Sequence, residues 1–333
     1  MQETSGVKPG AAVHPDAMAI RFDGQGGFER LEAGDPNAVE TDQGFLWQHL
    51  RLGAAGTPGI LREAGLDDFV IDALLAEETR PRFTVHGEGA ILNLRGVNLQ
   101  EGAEVEDMIS VRFWLTKSRV IGVWRRPLAA TEDMLASIER GRGPVSPGDF
   151  VARLALRLAD RAEPAVADLN EAVDEMEEAL LEREARIERS RLSSVRRTAI
   201  ILRRFLMPQR DALTTLEIED IGWLSPHDRS QLREAAERIY RLGEDLDAIR
   251  DRTQIVSDQM MDARAERLNA RMLVLSSVAA IFLPLSLLTG LLGTNVGGIP
   301  GARHPVAFWI VCLILVVLGA LLFLLARRKG MFR

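Results

Sequence analysis

Apolar and polar positions change rhythm three times along this chain. Residues 1–16 are polar with Gly, Pro and Ser, hold no apolar run of the signal-peptide kind, and read as disordered. From 17 to about 140, short apolar runs alternate with turn residues. Strands are predicted over 17–22 and 28–31 around Asp23-Gly24-Gln25-Gly26-Gly27, and over 44–52 with Phe45, Trp47 and Leu50 facing a core. Between 58 and 79, Ile60, Leu61, Phe69, Ile71, Leu74 and Leu75 fall at helical spacings. Two hairpins follow: 82–86 with 90–97 across Gly87-Glu88-Gly89, and 111–115 with 120–124 across Thr116-Lys117-Ser118-Arg119. Strands interleaved with helices make 17–148 a mixed α/β domain, its end punctuated by Gly141-Arg142-Gly143-Pro144 and Ser146-Pro147-Gly148.

After Phe150 the strand signals stop. A long helix is expected over 150–190, rich in carboxylates from Glu171 to Glu188, and a second over 192–215 with a kink or interruption at Pro208. Ser225-Pro226-His227-Asp228 reads as a helix start: a Ser cap, Pro at the first position, an acid three residues on. From there Leu232, Ala235, Ile239, Leu242, Leu246, Ile249, Thr253, Val256, Met260 and Ala263 keep a three-four spacing, an apolar seam that calls for a partner helix. Gly243 weakens it slightly. No stop appears before 291, so the helix would be ~100 Å long, about a third of it fitting in a bilayer and the rest a stalk. The helical and stalk region is 149–271.

The third rhythm is continuous apolarity. Residues 272–292 (MLVLSSVAAIFLPLSLLTGLL) and 306–326 (VAFWIVCLILVVLGALLFLLA) carry no charge, and each matches the length needed to cross ~30 Å of hydrocarbon. The loop 293–305 (GTNVGGIPGARHP) joins them, and 327–333 is a basic tail. Arg264, Arg267 and Arg271 precede the first span, and Arg327, Arg328, Lys329 and Arg333 follow the second, while the loop offers only Arg303 and His304. By the positive-inside rule both termini are cytoplasmic and the loop faces outward, in a multi-pass protein of a bacterial-type inner membrane.

Composition changes this picture little. The net charge of -7 and the lack of a basic, aromatic-laced cluster give no reason to expect nucleic acid as a partner. The single cysteine, Cys312, excludes disulfides within the chain and cysteine-based zinc sites. No nucleophile–base pair, phosphate loop or cofactor motif points to an enzyme or to a resident cofactor. His14, His49, His86, His227 and His304 are scattered, none at metal-ligand spacing, so no high-affinity metal site is identifiable.

The two spans differ in character. The second has the Val, Leu, Ile and Phe of a lipid-facing helix. The first contains Ser276, Ser277, Pro284, Ser286, Thr289 and Gly290, and the stalk's spacing continued through it puts Asn269, Met272, Leu275 or Ser276, Ala279, Leu283, Ser286 and Gly290 on one narrow face. Small and hydroxyl residues there serve either close helix packing or a water-lined path. A path needs several copies of the chain around it, and the seam supports an oligomer. With no carboxylate on that face, an ion would meet carbonyls, hydroxyls and a thioether, which suit a cation that keeps much of its water. The acids Glu171, Asp174, Glu175, Glu177 and Glu178 can concentrate cations before the path, though a solvated helix face is the plainer account.

Gly293-Thr294-Asn295 at the outer end of the first of two terminal spans, preceded by FLPLSLLTGLLG, resembles the CorA superfamily of divalent-cation transporters, whose commoner tripeptide is Gly-Met-Asn. The following Val296-Gly297-Gly298-Ile299-Pro300-Gly301, with LRGVN (94–98), EDMISVRFW (106–114) and RRFLMPQRDAL (203–213), is similar to the zinc-transporting ZntB branch. The resemblance implies a homopentameric funnel: a cytosolic α/β/α domain, a stalk helix continuing into a pore-lining helix, and a second helix outside. It implies that Gly293, Thr294 and Asn295 form the selectivity loop, and that Asn269, Met272, Leu275, Ser276, Ala279, Leu283, Ser286 and Gly290 line the pore. It implies Zn²⁺ as cargo, proton coupling being proposed within the family, with a Mg²⁺/Co²⁺ channel of the same build or a non-transporting helical scaffold as the alternatives. The magnesium branch draws cations with carboxylates in this loop, and here Arg303 and His304 stand instead. Zinc selectivity thus rests on the resemblance.

Overall fold

The structure, a computed structural model, describes residues 16–32, 44–77, 80–100, 102–181, 188–294 and 304–328. It divides into two compact units, Met1–Ile255 and Val256–Arg333. In the first, the described strands are β1 (Ala17–Phe22), β2 (Phe28–Leu31), β3 (Phe45–Arg51), β4 (Arg82–His86), β5 (Gly89–Gly96), β6 (Ile109–Leu115) and β7 (Arg119–Trp124). They form one sheet in the order β2-β1-β3-β7-β6-β5-β4. All neighbours are antiparallel except β3 and β7, which run parallel with Leu46 opposite Arg119.

Period-two alternation gives this sheet two apolar faces. On one, Leu50, Ile91, Ile121 and Val123 pack with Leu61 of α1 (Thr57–Glu63) and with Val70, Ile71 and Leu74 of α2 (Asp68–Leu75). On the other, Phe45 and Trp47 bring their rings to 6.4 and 4.8 Å from Phe150, near the start of α4 (Pro147–Leu181). α3 (Ala129–Glu139) lies beside α4, and α5 (Arg189–Ile218) lies against β4 and β5. Helices on both faces make the three layers of an α/β/α domain. α3 is the one element that the hydrophobic pattern does not single out.

The helical spacing over 58–79 resolves into two helices, because the chain turns at Gly65 with φ +77° and restarts at Asp67. Asp67 Oδ1 accepts from the Val70 amide at 2.9 Å, an N-cap. Phe69 is consequently 56% exposed and stacks on His86, with ring centroids 4.8 Å apart. Pro208 lies inside α5 without ending it.

Ser146-Pro147-Gly148, which reads as punctuation at the domain's end, is the start of α4. The Asp149 amide donates to Ser146 Oγ at 3.0 Å, the same cap that Ser225 makes with Asp228 at 3.1 Å to begin α6 (Pro226–Leu292). At the second start the bond is reciprocated, the Ser225 amide donating to Asp228 Oδ2 at 2.9 Å. The two helix starts also touch, Ser146 Oγ lying 3.4 Å from Asp228 Oδ2.

α6 is one helix of 67 residues. Its seam residues Leu232, Ala235, Ile239, Leu242, Leu246, Ile249 and Thr253 are all buried. Thr253 satisfies its hydroxyl within the helix, donating to the Arg250 carbonyl at 2.7 Å. Gly243 is a contact rather than a weakness: a Cβ there would stand 2.5 Å from Met207 Sδ of α5. In the second unit α6 ends at Leu292, and α7 (Ala307–Arg328) extends two residues beyond the predicted span, taking Arg327 and Arg328 into its last turn. A Cβ on Gly319 of α7 would meet Leu285 of α6 at 3.6 Å, so the two helices approach closely there. Both helices are long and apolar enough to cross a membrane.

Candidate functional site

An α-helix advances 100° per residue, so positions taken in alternating steps of three and four drift little around the axis. Asn269, Met272, Ser276, Ala279, Leu283, Ser286 and Gly290 therefore form one stripe along α6, with Leu275 at its edge, and each is exposed in the single chain. The structure separates the adjacent serines: Ser276 is on the stripe, while Ser277 is 1% exposed and donates to the Leu273 carbonyl at 2.7 Å. Thr289 likewise turns its hydroxyl onto the Leu285 and Ser286 carbonyls, both at 3.0 Å. The hydroxyls left facing outward on the stripe are those of Ser276 and Ser286. Pro284 has no N–H, so the Ala280 carbonyl one turn earlier loses its usual helical donor and becomes an acceptor at mid-span. Hydroxyl, thioether and carbonyl oxygen at this depth are neutral ligands, able to replace some of a cation's water without holding it fast.

At the C-terminal end of α6 Gly293 closes the last turn, its amide donating to the Thr289 carbonyl at 2.9 Å. Thr294 Oγ1 donates to the Leu291 carbonyl at 2.8 Å and so caps the helix. Asn295, expected with these two in the selectivity loop, lies outside the described residues. Toward the N-terminus of α6 the stripe continues backward through Ala265, Asp262 and Asp258, and both carboxylates are on exposed residues. They were findable by running the three-four steps below Asn269. Arg264 and Arg271 each sit one residue before a stripe position, about 100° around the axis. Acids therefore share the stripe with Asn269 and Met272, and the arginines face elsewhere.

Three of the α4 acids singled out in the sequence, Asp174, Glu175 and Glu177, are counterions. Arg252 donates to Glu177 Oε1 at 2.9 Å and to Asn170 Oδ1 at 2.9 Å, and its other terminal nitrogen reaches Asp174. Glu175 pairs with Arg191. The bonds from Arg252 hold the Glu177 carboxyl below the ordinary glutamate range, and the same bonds raise the guanidinium. His49 stacks on Trp124, with centroids 5.5 Å apart, and His86 Nε2 lies 2.6 Å from Asp67 Oδ2. Among the described residues no group of three or more His, Cys, Asp or Glu is placed to hold one metal ion.

A three-layer α/β domain joined by one continuous helix to a pair of terminal membrane spans defines a two-span membrane protein, its polar stripe on the first span. The chain belongs to the CorA family: the description of the matching family is "CorA-like Mg2+ transporter protein", and the match covers residues 42–328. It is 35% identical over 320 residues to the zinc transport protein ZntB of Pectobacterium atrosepticum, covering 96% of this chain and 95% of that one. It is 38% identical over 299 residues to the divalent cation transporter CmaX of Pseudomonas aeruginosa, covering 88% and 90%. The solved structure of full-length CmaX superposes with a TM-score of 0.82 at 35% identity, over 96% of this chain and 99% of that one.

Proposed function

We propose that the protein is a divalent metal cation transporter of the inner membrane whose cargo is Zn²⁺, working as a homopentamer with the α6 stripe around a central path and both termini cytoplasmic. The observation that carries this reading is the stripe itself. Neutral oxygens and a thioether line a membrane helix free of charge from Met272 to Leu292, with Asp258 and Asp262 at its inner end and Gly293 and Thr294 at its outer end. A hydrated cation entering such a path exchanges part of its shell for weak ligands and leaves again. One helix offers a single wall, so closure of the path requires several copies. The metal is cargo, and the reading needs no resident cofactor.

Zinc over magnesium is supported by the 35% identity to ZntB over nearly the whole chain and by an outer loop without a carboxylate. The similarity to CmaX and the family's magnesium-transporter description favour a second reading, a broader divalent pathway that also passes Mg²⁺ or Co²⁺. Neither predicted span contains Asp, Glu or His, so any coupling to protons would run through groups outside them.

Flux into proteoliposomes distinguishes these. Zn²⁺ uptake exceeding Mg²⁺ and Co²⁺ uptake at equal gradients is expected, and Asn295→Ala should reduce it at least tenfold. Mg²⁺ flux without Zn²⁺ flux would overturn the choice of cargo. No flux of any of the three in an intact oligomer would leave only a membrane-anchored scaffold.

A further inference from the structure

The arginines of α6 differ along its length in what they pair with. In the first unit Arg233, Arg238, Arg250 and Arg252 bond to the carboxylates of Glu217, Asp160, Asp251 and Glu177. In the second unit Arg264, Arg267 and Arg271 of α6 are exposed, as are Arg327 and Arg328 of α7. None of these five pairs with a carboxylate among the described residues. Steps of three and four put Arg264, Arg267 and Arg271 on one face of the helix, roughly 100–150° around the axis from the stripe. The same steps carry that face into the span as Val274, Val278 and Phe282, which are 51%, 41% and 63% exposed. Glu266 is the last acid of the chain, and it sits about 100° around from Arg267.

Two spans in succession cross a membrane in opposite directions, so the last turn of α7 lies toward the end at which α6 enters it. Counted from the contact of Gly319 with Leu285 at ~1.5 Å per residue, Arg327 and Arg328 stand ~12–14 Å along and Arg271 ~21 Å along, toward the same side. Guanidiniums from both helices thus gather at one boundary of the hydrocarbon. A second copy of the chain brings no carboxylate to that level from its own spans, since no acid follows Glu266. The phosphates of lipids lie there, and a guanidinium fork matches a phosphate with two parallel donors. We propose that this end of the α6–α7 pair binds an anionic phospholipid. Its headgroup rests on Arg267 and Arg271, with Arg264 below and Arg327 and Arg328 above, and its acyl chains run along Val274, Val278 and Phe282. The apolar half of that face selects a lipid over free phosphate. A headgroup with two phosphates meets both levels of arginine, one on each helix, so cardiolipin is preferred to phosphatidylglycerol. The inference rests on reading α6 and α7 as membrane spans and is independent of the cargo.

The test uses the full-length protein in a neutral detergent, offered cardiolipin, phosphatidylglycerol or phosphatidylcholine in mixed micelles. Bound lipid is counted by native mass spectrometry, and thermal unfolding is followed by tryptophan fluorescence. Cardiolipin should bind at least tenfold more tightly than phosphatidylcholine, with phosphatidylglycerol between them. For a ligand of the native state, Tm should rise by about 2 °C per tenfold increase in cardiolipin once its Kd is exceeded. Arg267→Gln with Arg271→Gln should cut the preference at least fivefold and flatten the Tm response, while Tm in phosphatidylcholine stays at the parent's. The remote pair Arg62→Gln with Arg204→Gln, on exposed residues of α1 and α5, should leave both readouts unchanged. Equal binding of cardiolipin and phosphatidylcholine overturns the site, and so does a loss as large in the remote pair as in the α6 pair. Inorganic phosphate that raises Tm as far as cardiolipin does overturns the lipid in favour of a free anion. A chain that stays in solution without detergent and retains no lipid overturns the spans on which the site rests.

Discussion

A side chain at position 243 has little room. The sulfur of Met207 occupies the place a Cβ would take, 2.5 Å away, so α5 and α6 meet backbone to side chain. Gly243→Leu should overpack this contact and cost about 1–3 kcal/mol in urea unfolding, whereas Gly243→Ala should cost less because a methionine sulfur can swing aside. The arginine at 252 gives a different kind of prediction. Its bonds depress the folded pKa of Glu177 below the ordinary value of 4.5. The stabilisation is therefore present above that value and lost as pH falls through the folded pKa. Both partners are partly exposed, so it amounts to no more than about 1 kcal/mol. Melting curves at pH 7 and at successively lower pH should show Glu177→Gln below the parent at neutral pH and converging with it in acid. In the sequence Glu177 is one acid in a run, and its guanidinium partner is 75 residues away, a pairing no local pattern announces.

Elements were more legible than residues, because a helix or strand declares itself by repetition. The hairpins, the Ser225 cap and the unbroken run of α6 all follow from local spacing. What spacing did not separate was α1 from α2, where one glycine at positive φ and one aspartate cap break a continuous apolar pattern. The α4 start was misread because Ser-Pro-Gly serves a loop as well as a helix cap, and the deciding residue, Asp149, lies one position farther on. Replacing Ser225 by Ala should remove the acceptor for the Asp228 amide and lower stability by about 1 kcal/mol, measured by chemical denaturation of the intact chain. In the second unit, Gly319→Ala should be tolerated, since its methyl group would lie in ordinary contact with Leu285. Gly319→Leu should force the helices apart and lower the temperature at which the detergent-solubilised oligomer dissociates.

For the whole molecule, charge is sorted just before the span: Asp258 and Asp262 lie on the stripe, Arg264, Arg267 and Arg271 lie off it, and no charge falls from Met272 to Leu292. If the stripe lines the path, Asp258→Asn with Asp262→Asn should lower Zn²⁺ flux several-fold at low ionic strength, and the deficit should shrink as salt screens the carboxylates. The stripe residues were readable from one sequence because a helix keeps its phase over many turns. What covers the stripe was not, because in a single chain every face of the span is exposed alike. The parallel pairing of β3 with β7 carries a consequence of another kind. Leu46 must find Arg119 after the whole of α1, α2, β4, β5 and β6 has intervened, while the other strand pairs join near neighbours. Non-local closure of this sort is slow. Until it happens, β3 presents an open edge whose residues Phe45 to Leu50 are all destined for burial. A chain still growing on the ribosome holds that edge until β7 is made, so an arrest before Arg119 should yield aggregate rather than a smaller folded domain, and the newborn protein is most in need of a chaperone over that interval.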